Sequence, residues 1–199
     1  MKKIIVFAGS FNPPTIAHLT LGKEIAKRIE DVEMVVYSPV NDGYRKKGLI
    51  SGIYRLEMTK LLTKNEDKLT VSDIEVKNSI YMSTYDSLKA IQKEYPKRDI
   101  YLMMGSDKLG QLRKWRNVKQ LLTDFRILLI SRDNAGKMEL LDEHPTFHEF
   151  KNRFEIMESM KEIDISSTMI RQNIKEGKNI EDLTKLNVSE YIKEKKLYL

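Results

Sequence analysis

The chain's densest set of groups able to handle an anion lies near its start: Gly9, Ser10, Phe11, Asn12, Pro13, Pro14, Thr15, Ile16, Ala17 and His18. Gly9 and Ser10 can bring bare backbone N–H groups close to a ligand, and the two prolines stiffen the rest of the loop. Thr15 can cap a helix, whose N-terminal amides favour a phosphate, and His18 falls on its first turn. A second set, Ile165, Ser166, Ser167, Thr168 and, one turn on, Arg171, puts hydroxyls and a guanidinium at the start of another helix. Such groups suit a second phosphate. Between the two sets lie the consecutive cations Arg45, Lys46 and Lys47 in a turn-rich loop, and Asp107 just after Gly105. A carboxylate there can accept hydrogen bonds from a ligand or cap the helix that follows. The combined chemistry is that of gripping a nucleotide polyphosphate. Each group also has a plain structural alternative: a helix cap, a solvated loop or a surface charge.

The elements that must position these groups can be read around them. Residues 4–8 form an uninterrupted β-branched run, as in the central strand of a parallel sheet buried on both faces. A helix over about 16–29 and a strand over 33–39 complete a right-handed βαβ unit. Further on, the pattern predicts a helix over 51–63, strands over 69–74, 99–104 and 125–130, a helix opening after Ser79, and a strand running up to the three hydroxyls at 166–168. This is an α/β fold, a Rossmann-like parallel sheet with helices on both faces, in which ligands lie at the carboxyl ends of the strands. Residues 1–199 read as one domain, with 163–199 as its helical C-terminal part.

Composition narrows the partners. Lys plus Arg number 35 against 29 Asp plus Glu, a net +6 that suits anionic ligands. The basic residues are scattered rather than gathered on one face, which argues against a dedicated nucleic-acid protein. There is no run of about twenty apolar residues for a membrane span. Met1, Lys2 and Lys3 lead straight into the first strand, so no signal peptide is expected, and with no cysteine the expected compartment is the cytoplasm. His144 and His148 flank Pro145 without a third ligand nearby and read as surface residues, so no protein-built metal site is expected.

The first set of residues resembles the signature of the HxGH-type nucleotidyltransferase superfamily, in the form G-S-F-N-P-x-T-x-x-H of nicotinamide and nicotinate mononucleotide adenylyltransferases. The commoner bacterial form has histidine where Thr15 stands. I-S-S-T-x-x-R at 165–171 resembles the superfamily's second signature, which implies that Ile165, Ser166, Ser167, Thr168 and Arg171 grip the β- and γ-phosphates of ATP. The loop S-P-V-N-D-G-Y-R-K-K-G-L resembles that of eukaryotic-type members and implies a phosphate contact for Lys46, with Tyr44 and Lys47 as further candidates. G-S-D at 105–107 resembles the family's ribose-binding G-x-D. The R-x-x-M spacing at Arg55 and Met58 resembles that of the family's second helix, which makes Arg55 a candidate substrate contact, while the stretch holding Tyr81 and Thr84 and L-R-K-W ending at Trp115 resemble segments that the family places by the pyridine ring. From the residues alone, Arg55 could be a surface charge, Thr84 or Asp107 a helix cap, and Trp115 core.

The resemblance implies an ATP-dependent adenylyltransferase of NAD synthesis. ATP would be held by Gly9, Ser10, Phe11, Thr15, His18, Gly105, Asp107 and the second signature. The mononucleotide would be held by Asn12, Tyr44, Lys46, Lys47, Arg55, Tyr81, Thr84 and Trp115. His18, Lys46 and Arg171 would carry catalysis, with Mg2+ arriving on ATP. A pantetheine-phosphate or cytidylyl transferase would share both signatures but lack the 38–49 loop. A non-catalytic nucleotide sensor should have lost His18 or Arg171. The acceptor's carboxylate or amide, and the oligomeric state with self-association among the options, stay open.

Overall fold

The computed structural model describes residues 1–44, 46–115, 117–131, 139–158 and 163–199. In chain order the elements are β1 (Lys3–Gly9), α1 (Ile16–Arg28), β2 (Val32–Pro39), α2 (Gly52–Thr63), β3 (Leu69–Val71), α3 (Ile74–Lys77) and α4 (Thr84–Glu94). They continue as β4 (Asp99–Gly105), α5 (Leu109–Leu112), α6 (Val118–Asp124), β5 (Arg126–Ser131), α7 (Glu139–Glu143), α8 (Pro145–Glu149), β6 (Phe154–Glu158), α9 (Ser167–Lys175) and α10 (Leu186–Glu194). The strands form one parallel sheet in the order β3-β2-β1-β4-β5-β6. This Rossmann-like order reverses between β1 and β4, where such sheets open a crevice at their carboxyl edge.

Because successive strand residues point to opposite faces, each strand feeds two cores. Ile5 of β1, Val35 and Tyr37 of β2, Tyr101 and Met103 of β4, and Leu128 and Ile130 of β5 pack with apolar residues of α1, α2, α9 and α10. Ile4 and Val6, Val36, Ile100 and Leu102, and Ile127 and Leu129 pack on the other face with α4, α5, α6 and Phe147. The helices thus cover both faces, which is why β1 carries no polar residue between Ile4 and Ala8.

Three expectations are corrected. The 69–74 strand ends at Val71, because Ser72 and Asp73 turn the chain into α3. No strand leads into the hydroxyl cluster: 163–166 lack regular structure, and the sixth strand is β6, at the sheet edge. His148 is exposed, but His144 is half-buried, with its ring centroid 4.8 Å from that of Phe147. Pro145 does begin a helix that leaves His144 outside it. Among the described residues no helix is long and apolar enough to cross a membrane.

Candidate active site

β1 delivers Gly9 to the carboxyl edge of the sheet, and β4 delivers Gly105 beside it across the reversal point. After Gly9 the chain turns through Phe11, whose φ of 43° lies in the left-handed region. That turn tucks the Phe11 ring, 1% exposed, under Gly9, where a β-carbon would stand 3.0 Å from its Cζ. Phe7, Phe11 and Tyr37 form an aromatic cluster, and the His18 ring packs on its Phe7 and Phe11 members at centroid distances of 5.7 and 5.2 Å.

Thr15 caps α1, and its contact with His18 runs both ways. The His18 backbone N–H donates to Thr15 Oγ1, while the Thr15 N–H donates to His18 Nδ1 at 3.0 Å. Nδ1 is therefore an acceptor, which assigns the proton of the neutral ring to Nε2. Burial, helped by the nearby Lys46 charge, lowers the His18 pKa to about 4, so the ring is neutral at pH 7. Its carbonyl is held in turn by Tyr37 Oη at 2.8 Å. Tyr37 reaches it because position 22 is glycine: a β-carbon there would sit 2.0 Å from the hydroxyl. The α1 amides are less available than the sequence implies, since Ile16 N–H donates to Leu183 O.

The second signature joins the first. Ser166 caps α9 by accepting from Met169 N–H, Ser167 Oγ donates to Pro13 O at 2.7 Å, and Arg171 Nη1 donates to Asn12 O at 2.7 Å. The other Arg171 terminal nitrogen holds Thr168 Oγ1 at 3.0 Å. Ser166 and Thr168 are exposed beside the two signature loops, while Ile165 precedes the cap.

The basic loop returns to the same place. Lys46 Nζ donates to Ser10 Oγ at 2.9 Å, and burial followed by the charges of Arg171, Lys108 and Arg55 lowers its pKa. Lys46 and Arg171 have no carboxylate within ion-pairing distance among the described residues, whereas Arg55 and Lys108 pair with Asp42 and Asp107. An anion entering here would relieve repulsion between cations. Lys108 is a contributor that the sequence reading passed over. Gly48, at φ 73°, supplies the left-handed turn after Lys47. Arg45 lies outside the described residues.

Two residues expected to contact substrate, Arg55 and Asn12, are buried and bonded to neighbouring loops. Arg55 is 0% exposed and donates to Ile50 O, Ser10 O, Val40 O and Asp42 Oδ1. It ties the turn at Ser10 to both ends of the basic loop, and Asp42 also accepts from Gly52 N–H at the start of α2. Asn12, 1% exposed, donates to Gly48 O at 2.8 Å and accepts from Ile50 N–H and the Tyr198 hydroxyl. Neither role is visible in the sequence, because the partners lie in distant segments.

The remaining candidates sit on α4 and on the segments that follow β2, α3, β4 and α5. Asp107 sits in a 3-10 turn and caps no helix; its Oδ1 folds over Gly105 so closely that a β-carbon there would be 2.3 Å away. Thr84 is the first residue of α4 rather than its cap, which is Ser83. Tyr81 is exposed and packs on the turn at Gly43, where a β-carbon would stand 3.2 Å from its Cβ; Tyr44 and Lys47 are exposed on the same loop. Trp115 is half-buried against the α4–α6 core.

Comparison with known proteins fits this geometry. The model of the cytidylyltransferase-like family matches residues 6–173, which sets the class. The chain is 30% identical over 200 residues, covering all of both chains, to a Clostridium acetobutylicum protein named "Probable nicotinate-nucleotide adenylyltransferase". It is 34% identical, over 98% of both chains, to a Flavobacterium johnsoniae protein of the same name. The chain belongs to the nicotinate-nucleotide adenylyltransferase family of nucleotidyltransferases. The fold is shared with Plasmodium falciparum nicotinic acid mononucleotide adenylyltransferase complexed with APC (TM-score 0.78) and with NaAD (TM-score 0.79). Each match has 21% identity and covers 100% of this chain and 98% of the other.

Proposed function

We propose that this chain joins the adenylyl group of ATP to nicotinate mononucleotide, releasing pyrophosphate, as a cytoplasmic step of NAD synthesis. A phosphate oxygen of the mononucleotide attacks the α-phosphorus of ATP, a new P–O bond forms, and the bond to the β-phosphate's bridging oxygen breaks. No group on the protein need be covalently modified, so catalysis rests on positioning and neutralisation of charge.

The observation that carries this reading is the convergence of Lys46 and Arg171, both without carboxylate partners among the described residues, on the turn holding the Nε2–H of His18. His18 donates one hydrogen bond to phosphate without adding a charge. Lys46 exchanges Ser10 Oγ for a phosphate oxygen, and Arg171 with Thr168 and the first amides of α9 takes the leaving pyrophosphate. Gly9, Ser10, Phe11, Thr15, Ile165, Ser166 and Ser167 frame the phosphates, and Gly105 with Asp107 receives the ribose. Tyr44, Lys47, Tyr81, Thr84 and Trp115 line the approach of the acceptor. The acceptor is assigned as nicotinate mononucleotide because the curated relatives bear that activity in their names. Residues 1–199 work as one domain, with 163–199 supplying the second phosphate grip.

Magnesium would lower the charge of the polyphosphate. Among the described residues no cluster of three His, Cys, Asp or Glu side chains is placed to hold an ion, so the chain's donor set fits an ion held by ATP oxygens rather than by a cage.

The test is pyrophosphate release by the purified protein with ATP and magnesium, given nicotinate or nicotinamide mononucleotide in separate reactions. Turnover with nicotinate mononucleotide, faster than with the amide, is expected; silence with both would overturn the reading.

A further inference from the structure

α10 ends in a tight reversal. Lys196 takes a left-handed φ of 50°, and the Leu197 N–H reaches back to Ile192 O at 3.1 Å, the bonding of a Schellman turn. The reversal buries Leu197 in the core beneath α1 and α2 and sends Tyr198, itself at φ 68°, towards the phosphate turn. Neither left-handed residue is glycine, so this path is held against a backbone preference by the contacts it makes.

The Tyr198 hydroxyl donates to Asn12 Oδ1 at 2.9 Å. The same oxygen receives Ile50 N–H across a long 3.4 Å, and the Nδ2 of that amide donates to Gly48 O at 2.8 Å. Gly48 and Ile50 flank the end of the loop that carries Lys46. The Asn12 carbonyl, meanwhile, accepts from Arg171. One side-chain amide therefore links the phosphate turn, the basic loop and the tail, and Tyr198 supplies the shorter of the two bonds to its oxygen. Burial raises the phenol's pKa, against the opposing pull of Arg171 and Arg55, so it remains a donor.

The geometry points to Tyr198 as a positioning residue: it clamps the Asn12 amide and through it holds the Lys46 loop against the phosphate turn, so that nucleotide affinity depends on a hydroxyl outside the phosphate site. The effect on affinity rests on the proposed adenylyl transfer; the clamp itself does not.

Tyr198→Phe removes only the oxygen. The KM for ATP and for nicotinate mononucleotide should rise about fivefold, the worth of one neutral hydrogen bond, with kcat nearly unchanged. Exchange of the Ile50 amide hydrogen should accelerate by a similar factor while amides of β1 and β4 keep their rates. In an Asn12→Ala background the substitution should add nothing. Unchanged KM and Ile50 exchange, acceleration spread equally through β1 and β4, or additive effects in the double variant would each overturn the clamp. A wild type without turnover on either mononucleotide would sink the proposed function instead, and Ile50 exchange would still decide the role of Tyr198.

Discussion

Acid should weaken this fold through His18 by an amount that one substitution can isolate. An unperturbed histidine titrates near pH 6.5, whereas the packed His18 ring holds out to about pH 4. Between those values the unfolded chain binds a proton that the folded chain refuses, so stability is lost as pH falls through that window and the loss is complete below about 4. The difference of about 2.5 units corresponds to at most ~3.4 kcal/mol, less in proportion as water reaches the exposed edge of the ring. Urea unfolding of the wild type and of His18→Gln, at about pH 7.5 and about pH 4.5, gives the two changes in stability. The wild type should lose ~2–3 kcal/mol more than the variant over that interval. An NMR titration should place the His18 midpoint near 4 with Nε2 protonated above it, and added pyrophosphate should move the midpoint upward by favouring the charged ring. Parallel pH dependences in the two proteins, or a midpoint near 6.5, would refute the account of a neutral ring fixed by Thr15.

Two further perturbations test the supports of the site. Gly22→Ala should lower Tm although alanine favours a helix by about 1 kcal/mol, because its methyl would meet Tyr37 Oη at 2.0 Å. Tyr37→Phe in the same chain should recover part of the loss, and a Tm rise in the single variant would show that the Tyr37 contact does not constrain position 22. Arg55→Met should cost about 2–4 kcal/mol in denaturant unfolding, since it strips donors from three carbonyls while the freed Asp42 carboxylate is open to water. A cost below about 1 kcal/mol would mean that the buried guanidinium does not organise the two loops.

The parts of the fold that could be read in advance are those where local pattern and tertiary setting agree. Ile4 to Ala8 signals a central strand because both faces of β1 are buried, and Thr15 followed by His18 signals a helix start that the capping contacts confirm. β6 gives no clear signal because Phe154-Glu155-Ile156-Met157-Glu158 is a short edge strand whose two acidic residues interrupt the apolar run. The grouping of the two signatures was legible through the family resemblance, since from its residues alone the 165–171 segment reads equally as a hydroxyl cap with a surface arginine. The fate of Arg55 was not: an arginine on a helix reads as solvated, and only the carbonyls of Ser10, Val40 and Ile50, brought in by other segments, make its burial tolerable. Asn12 likewise gives no local sign that Tyr198 is its partner.

The bonds that finish the turn after β1 span most of the chain: Ser167 to Pro13 across 154 positions, Arg171 to Asn12 across 159, Thr184 to Pro14 across 170 and Tyr198 to Asn12 across 186. Contacts of such separation bear the largest loop-closure entropy and form only once the intervening sheet is in place. During synthesis the turn therefore emerges early and waits, with its carbonyls at Asn12, Pro13 and Pro14 lacking these donors, until 163–199 leaves the ribosome and docks. A partly made chain can have a complete βαβ core and still lack the donors that close its first loop.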